Sequence, residues 1–317
     1  MTRSKLTNDY RVQYYCGKNL NQKICYNKKI SKDTDFLYIT QSSNDNDNES
    51  EYKKDLIKVI QKNKLEQLYN GQIINYCPRD RVEVFTTIPT LVKSRVISDV
   101  PHFSILAKMN SIRHFDDLKQ IKKIDIPFEQ KKNVLIWRGA STGYGFGNEI
   151  PYRTVSREVL IEKYCNQKSL ANGIDVGLTK LIQGAKHKPE HYKKFLKPFM
   201  TRKQLLEYKY ILSVEGNDVA TNLKWIMCSN SLLLMPKPQI ESWIMESHLV
   251  PFVHFVPVMD DFSDLQEKIC WCSRNPRRCL KIIKNAREYM KVFLNEQNEN
   301  KVMKSVLECY LKNISFC

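Results

Sequence analysis

The chain has 317 residues, and 42% of them are hydrophobic, enough to fill a core and too many for a disordered protein. A total of 51 Lys and Arg against 34 Asp and Glu gives a formal charge of +17, which selects anionic partners: nucleic acid, a membrane surface, a phosphorylated substrate or an acidic polysaccharide. The length suits two domains or one large one, and no run of about 18 apolar residues is present to span a membrane.

The first fifteen residues, MTRSKLTNDYRVQYY, carry no apolar run of the signal-peptide kind. The polar, acidic run QSSNDNDNESEYKK from residue 41 reads as a loop. Leu56, Ile57, Val59, Ile60 and Leu65 recur at near-helical spacing and predict a helix over 51–68. β-Branched alternation predicts a strand over 82–87, and a short helix is expected over 116–123. From residue 133 the pattern becomes strand–helix alternation. Strands are expected at 133–137, 174–177, 210–214, 231–235 and 254–258, with helices at 154–164, 202–208, 221–228 and 241–246. Such alternation predicts a parallel sheet wrapped by helices. The end reads as helices over 265–272, 277–295 and 301–311, the first two separated by Ser273-Arg274-Asn275-Pro276. The ten cysteines are scattered, without the paired CxxC of a zinc site, so reduced and buried thiols are expected.

Three strand-end segments carry chemistry. In WRGASTG, residues 137–143, a strand enters a loop rich in glycine and hydroxyls, the kind of sheet edge where α/β proteins bind phosphate. Arg138 adds a guanidinium fork, and Ser141 and Thr142 add hydroxyls; the alternative is a plain turn. The loop is neither a Walker A sequence nor GxGxxG. In the second segment, residues 214–225, Asn217 or Asp218 can cap a helix, with Thr221, Asn222 and Lys224 near its start. A diphosphate at that N-terminus would be neutralised by Lys224; otherwise Lys224 is surface and Trp225 core. In the third, Pro236-Lys237-Pro238 precedes Glu241, whose carboxylate either holds ribose hydroxyls or stabilises a helix dipole.

The stretch KYILSVEGNDVATNLKWIMCSNSLLLMPKP, followed by ESWIMESHLVPFVHFVPVMDDFSDLQEKI, resembles glycosyltransferase family 90. WRGASTG is similar to that family's Trp-Arg-Gly signature, with further likeness at VKSR and NSIRHF, so the resemblance spans roughly residues 92–311. The family holds protein O-glucosyltransferases, capsule xylosyltransferases and lipopolysaccharide-modifying enzymes, and this chain is closest in pattern to its bacterial and large-virus branch. The resemblance implies an α/β protein of GT-B type, two Rossmann-like domains facing across a cleft with C-terminal helices packing back. The expected divisions are an acceptor-side domain over 1–128, a nucleotide-sugar-binding domain over 129–285, and returning helices over 286–317. It also implies inverting, metal-independent transfer of glucose or xylose from a UDP-sugar to a hydroxyl of a glycan, glycolipid or protein.

By position, Arg138, Gly139, Ser141, Thr142 and Gly143 would line the donor phosphates, and Arg153 would be the donor-contacting arginine beyond Trp-Arg-Gly. Glu215, Gly216, Asn217, Asp218 and Thr221 would complete the second loop of the donor site. The animal enzymes have an arginine where this chain has Asn222, and Lys224 is the expected substitute. Glu241 resembles the family glutamate before the His-Phe-Val-Pro stretch. The catalytic base, an aspartate in an Arg-Asp-aromatic-Pro segment of the animal enzymes, falls in VKSRVISDVPHFS, where Asp99 is the candidate; Glu149 and Asp218 stay open as alternatives. Arg95 and His114 face donor or acceptor, or the surface. No metal and no cofactor beyond the UDP-sugar substrate is expected, and the Asp260-Asp261 pair does not make an Asp-x-Asp metal motif.

Two other readings remain. A nucleic-acid-binding protein would explain the charge, yet no zinc finger, RNP-like strand pair or basic heptad helix is present, so nucleic acid is the disfavoured partner. A catalytically inactive nucleotide-sugar or glycan-binding module is the other. The expected setting is the cytoplasm, a host's if the chain is viral, with peripheral membrane contact and no transmembrane segment.

Overall fold

The structure, a computed structural model, describes residues 6–17, 24–26, 35–39, 50–79, 82, 85, 88–98, 102–150 and 153–316. Asp99 lies outside them, as do most of the strand expected over 82–87 and most of the polar run from residue 41. In chain order the strands are β1 (Ile24–Tyr26), β2 (Asp35–Tyr38), β3 (Ile73–Tyr76), β4 (Thr90–Val92), β5 (Ser94–Val96), β6 (Ser104–Leu106), β7 (Lys132–Ala140), β8 (Ile174–Lys180), β9 (Tyr208–Leu212), β10 (Leu232–Met235), β11 (Ile240–Ser242), β12 (Val256–Pro257) and β13 (Ile314–Phe316). The longer helices are α1 (Asn8–Cys16), α2 (Glu51–Lys62), α3 (Arg157–Tyr164), α4 (Thr221–Met227), α5 (Leu265–Arg274), α6 (Pro276–Met290) and α7 (Glu296–Asn313). The chain is a mixed α/β protein with parallel sheets. It divides into two compact units, one of residues 117–239 and 246–291, the other of residues 2–116, 240–245 and 292–317.

The first unit is built on a five-stranded sheet in the order β12-β10-β9-β7-β8, every neighbouring pair parallel. Apolar runs explain why these segments are central strands: Leu135 to Trp137, Tyr210 to Leu212 and Leu232 to Met235 are all buried, as strands covered on both faces must be. They share one core with Leu160 and Ile161 of α3, Ile269 of α5, and Ile282 and Ile283 of α6. Helix α3 starts at Ser156, whose hydroxyl accepts from the N–H of Glu158 and Val159. Asn275-Pro276 separates α5 from α6, with the proline in the first turn, where its missing N–H costs nothing.

The second unit contains a four-stranded sheet, β2-β3-β4-β6, parallel except for β2 against β3. Two small pairs accompany it, β1 with β13 and β5 with β11. Its polar centre joins α1 to α7. Arg11, wholly buried, donates bidentately to Glu299 at 2.6 and 3.0 Å, and its Nε donates to the Tyr15 hydroxyl at 3.0 Å. The indole N–H of Trp243 donates to the same Glu299, and Tyr15 stacks on Trp243 at 4.2 Å between ring centroids.

Three expectations are corrected. Residues 241–246 form no helix: β11 pairs antiparallel with β5, Glu241 opposite Arg95, and that pairing overrides a locally helix-like apolar spacing. The helix expected over 51–68 stops at Lys62, because Lys64 takes a left-handed backbone (φ +55°) before a separate turn over Leu65–Leu68. Among the cysteines, Cys25 is disulfide-bonded, while Cys16, Cys77, Cys165, Cys228, Cys270, Cys272, Cys279 and Cys309 are not. Among the described residues, no helix is long and apolar enough to cross a membrane.

Candidate functional site

The strand order of the first unit defines where a ligand can enter. The chain runs from β7 out to β8 on one side and returns to β9 on the other, so the loops leaving β7 and β9 depart in opposite directions and open a crevice at their carboxyl ends. Here the two loops touch through glycine. The N–H of Gly143 donates to Asn217 Oδ1 at 3.0 Å, and its φ of +101° is open to glycine and strained for other residues. A Cβ on Gly143 would lie 2.9 Å from the Gly216 carbonyl oxygen, and one on Gly216 would lie 2.7 Å from Thr142 Oγ1. Neither loop can carry a side chain at its contact point without moving the other.

Arg157, in the first turn of α3, holds both loops from behind. Its guanidinium donates to the carbonyls of Ala140 (3.0 Å), Val214 (2.7 Å) and Glu215 (3.1 Å) and to the hydroxyl of Thr142 (2.6 Å). Strand ends leave carbonyls without ladder partners, and one charged fork satisfies several of them at once. No sequence motif marked Arg157. The only local signal was the Ser156 cap, which fixes where α3 begins and therefore which way its first arginine turns.

A small cleft lies over the ends of β9 and β10, lined by Val155, Ser213, Glu215, Leu223, Pro236 and Glu246 among others. Arg153, its side chain 1% exposed, contacts one of these lining residues, Glu215. Its Nη2 donates to the Gly216 carbonyl at 3.2 Å and lies 3.0 Å from a carboxylate oxygen of Glu215, whereas its Nε and Nη1 have no hydrogen-bond partner among the described residues. Burial pulls the Arg153 guanidinium below its usual value, opposed by the charges of Glu215 and Asp218. Glu215 also accepts from the N–H of Gln239 at 3.0 Å. Asn222 bonds back to β9, donating to the Leu212 carbonyl and accepting from the Ser213 hydroxyl. Lys224 is not a surface residue. It is 1% exposed, with its Nζ 3.7 Å from Glu246 Oε1. Asn217 and Asp218 do not cap α4, whose N-cap is Ala220 with no side-chain bond; Thr221 is its first residue.

At the other flank of the first loop, Arg138 turns toward β8. It donates to Asp175 Oδ2 at 2.8 Å and to two backbone carbonyls, leaving its Nε without a partner among the described residues. Ser141 is fully buried and staples the loop, donating to the Ile182 carbonyl and accepting from the Ile182 N–H. Asp175 also accepts from Lys197 Nζ at 2.6 Å. Burial alone would raise the Asp175 carboxyl, yet the hydrogen bonds and charges of Arg138 and Lys197 hold it below the ordinary carboxylate value. A lowered folded value contributes stability that is complete above the unfolded value, about 3.9, and is lost as pH falls through the folded one. Urea unfolding should therefore show Asp175→Asn less stable than the parent by about 1–2 kcal/mol near neutral pH, with the gap closing below about pH 4.

Glu241 belongs to the other unit. There it accepts from Arg95 Nε at 2.7 Å and from the Tyr14 hydroxyl, and Arg95 also donates to the carbonyls of Tyr14, Tyr15 and Ser104. His114 is buried in the same unit, its Nε2 3.2 Å from Lys93 Nζ. Among the described residues no group of three or more His, Cys, Asp or Glu is placed to hold a metal ion.

Comparison with known proteins puts this molecule among the glycosyltransferases. The chain belongs to glycosyl transferase family 90, whose model matches residues 100–316. It is 38% identical over 250 residues to O-glucosyltransferase LpsA of Dichelobacter nodosus, covering 79% of this chain and 69% of that one. It is 29% identical over 191 residues to a protein of Invertebrate iridescent virus 6, covering 54% of this chain and 16% of the viral one. Against human protein O-glucosyltransferase 3 it is 30% identical over 130 residues, 41% of this chain and 25% of the human one.

Proposed function

We propose that the chain transfers glucose or xylose from a UDP-sugar to a hydroxyl of a glycan, glycolipid or protein, by an inverting, metal-independent route on a GT-B plan. The observation that carries this reading is Arg153: a buried guanidinium beside the Gly216 carbonyl, with two donor nitrogens free of any partner among the described residues. A buried donor left unmade is costly, and a diphosphate is the ligand that a glycine-lined strand-end crevice and a basic fork suit. On this reading Gly143, Gly216 and Asn217 bring backbone close to the donor, while Arg138, Gly139, Ser141, Thr142 and Arg157 fix the shape of the first loop. Glu215, Asp218, Thr221, Asn222 and Lys224 form the facing wall. Leaving UDP would be stabilised by Arg153 and backbone N–H groups already in place before the reaction. Asp99 is the proposed base, taking the proton from the acceptor hydroxyl as it attacks the anomeric carbon. The bacterial and human relatives, O-glucosyltransferases by name, favour glucose as the donor sugar.

The test is release of UDP from a panel of nucleotide sugars in the presence of EDTA, with Asp99→Asn alongside. Release from UDP-glucose or UDP-xylose that survives EDTA is expected, and Asp99→Asn should lower turnover on the order of a hundredfold or more while UDP still binds. Release abolished by EDTA would overturn the metal-independent route. Full turnover in Asp99→Asn would remove Asp99 as the base. UDP binding without release from any sugar, acceptor supplied, would mark an inactive nucleotide-sugar-binding module.

A further inference from the structure

The donor crevice leaves unused a surface of the same unit where apolar and cationic groups meet. Residues 250–253 form the tip of the turn before β12, and Val250, Phe252 and Val253 are 36%, 48% and 38% exposed. The turn is braced from within. The Val250 carbonyl accepts from the N–H of Val253 (3.1 Å) and His254 (2.9 Å), and the N–H of Phe252 donates to the Phe255 carbonyl at 2.7 Å. The N–H of Val250 donates to Nδ1 of the buried His254 at 2.9 Å. Phe252 has a φ of +58°, a left-handed backbone that a bulky residue rarely adopts. A strained backbone that presents an aromatic ring to water is not what packing alone would select. The ring meets Trp271 of α5 edge-on, 5.4 Å between centroids.

Trp271 leads directly to charge. Residues 268–287, KICWCSRNPRRCLKIIKNAR, contain seven Lys and Arg and no Asp or Glu. Arg274 follows Trp271 by three residues on α5 and so shares its face. Arg277 and Arg278 are exposed at the start of α6, followed by exposed Lys281 and Lys284, with Leu280 38% exposed among them. None of these five cations is ion-paired among the described residues, unlike Lys268, which bridges to Asp264 and Glu267.

We propose that this face, the 250–253 turn with Trp271 and the cations of the α5–α6 corner, docks on the surface of an anionic lipid bilayer. Unpaired cations match an anionic headgroup layer, and aromatic and aliphatic side chains at the tip enter the layer beneath it. A nucleic acid would meet the charge but offers no apolar layer for Val250, Phe252 and Val253. Because the turn is already hydrogen-bonded in its exposed form, little ordering is required on contact.

Co-sedimentation with vesicles tests this independently of any sugar chemistry. The protein should sediment with vesicles containing phosphatidylglycerol and stay in solution with pure phosphatidylcholine, and added salt should release it. Trp137, Trp225 and Trp243 are buried, so a blue shift of tryptophan emission on binding would come from Trp271. Phe252→Asn suits a left-handed backbone and should keep the fold while weakening binding roughly tenfold. Arg277→Ala with Arg278→Ala should weaken it about thirtyfold. Equal sedimentation with both lipids, or variants that bind as the parent does, would overturn the proposal. Loss of oligonucleotide binding in the arginine variant with vesicle binding unchanged would hand the patch to nucleic acid instead.

Discussion

Replacing Arg153 by alanine should weaken UDP binding by ~2–3 kcal/mol, roughly a hundredfold, measured by calorimetry on the folded protein. The size follows from charge and burial together. The side chain is 1% exposed, so a phosphate meeting its two unpartnered nitrogens, Nε and Nη1, would do so away from water, where charged hydrogen bonds are strong. Arg153→Lys keeps the charge and loses the fork, so only part of the affinity should return. The outcome that refutes the role is specific. If Arg153 serves only Glu215 and the Gly216 carbonyl, Arg153→Ala would unfold at lower urea yet bind UDP as the parent does.

The largest stability effect should come from the other unit. Glu299→Ala leaves Arg11 buried with no carboxylate and strips the Trp243 indole N–H of its acceptor, so a loss of about 3–5 kcal/mol is expected in urea unfolding. Breaking a buried pair costs more than the pair contributes, because the surviving charge has lost both water and partner. Replacing both residues, Arg11→Met with Glu299→Leu, should therefore recover much of that loss. A double variant as unstable as Glu299→Ala would mean that the surrounding packing depends on the ions themselves.

What could be read from the sequence followed from locality. The segments 133–143 and 210–225 announce strand, loop and helix because apolar runs end in glycine and polar residues within a few positions. β7 extends further than its apolar run, to Ala140, because Arg138 and Gly139 go on pairing with β8, a partner some forty residues away. Glu241 shows the limit more sharply. Its neighbours have helical spacing, but the conformation is decided by β5, about 145 residues earlier, and by Arg95 upon it. The same distance hid the surroundings of Lys224, whose Glu246 lies beyond the next two strands, and the work of Arg157, most of whose acceptors are backbone carbonyls that carry no residue identity. Chemistry between a side chain and its own loop can be read along a line. Chemistry between a side chain and another segment's backbone cannot.

The division of the chain has a consequence for how the protein is made. Arg11 and Glu299 are 288 residues apart, and translation proceeds at roughly 5–20 residues per second, so on the order of half a minute separates their emergence from the ribosome. Through that interval α1 has no α7 to cover it, and the strand opposite β5 is also still to come. The five-stranded sheet has no such wait, since its strands all lie between residues 132 and 257. A premature stop just short of α7 would thus leave a chain able to build its five-stranded sheet and unable to finish the unit it began with.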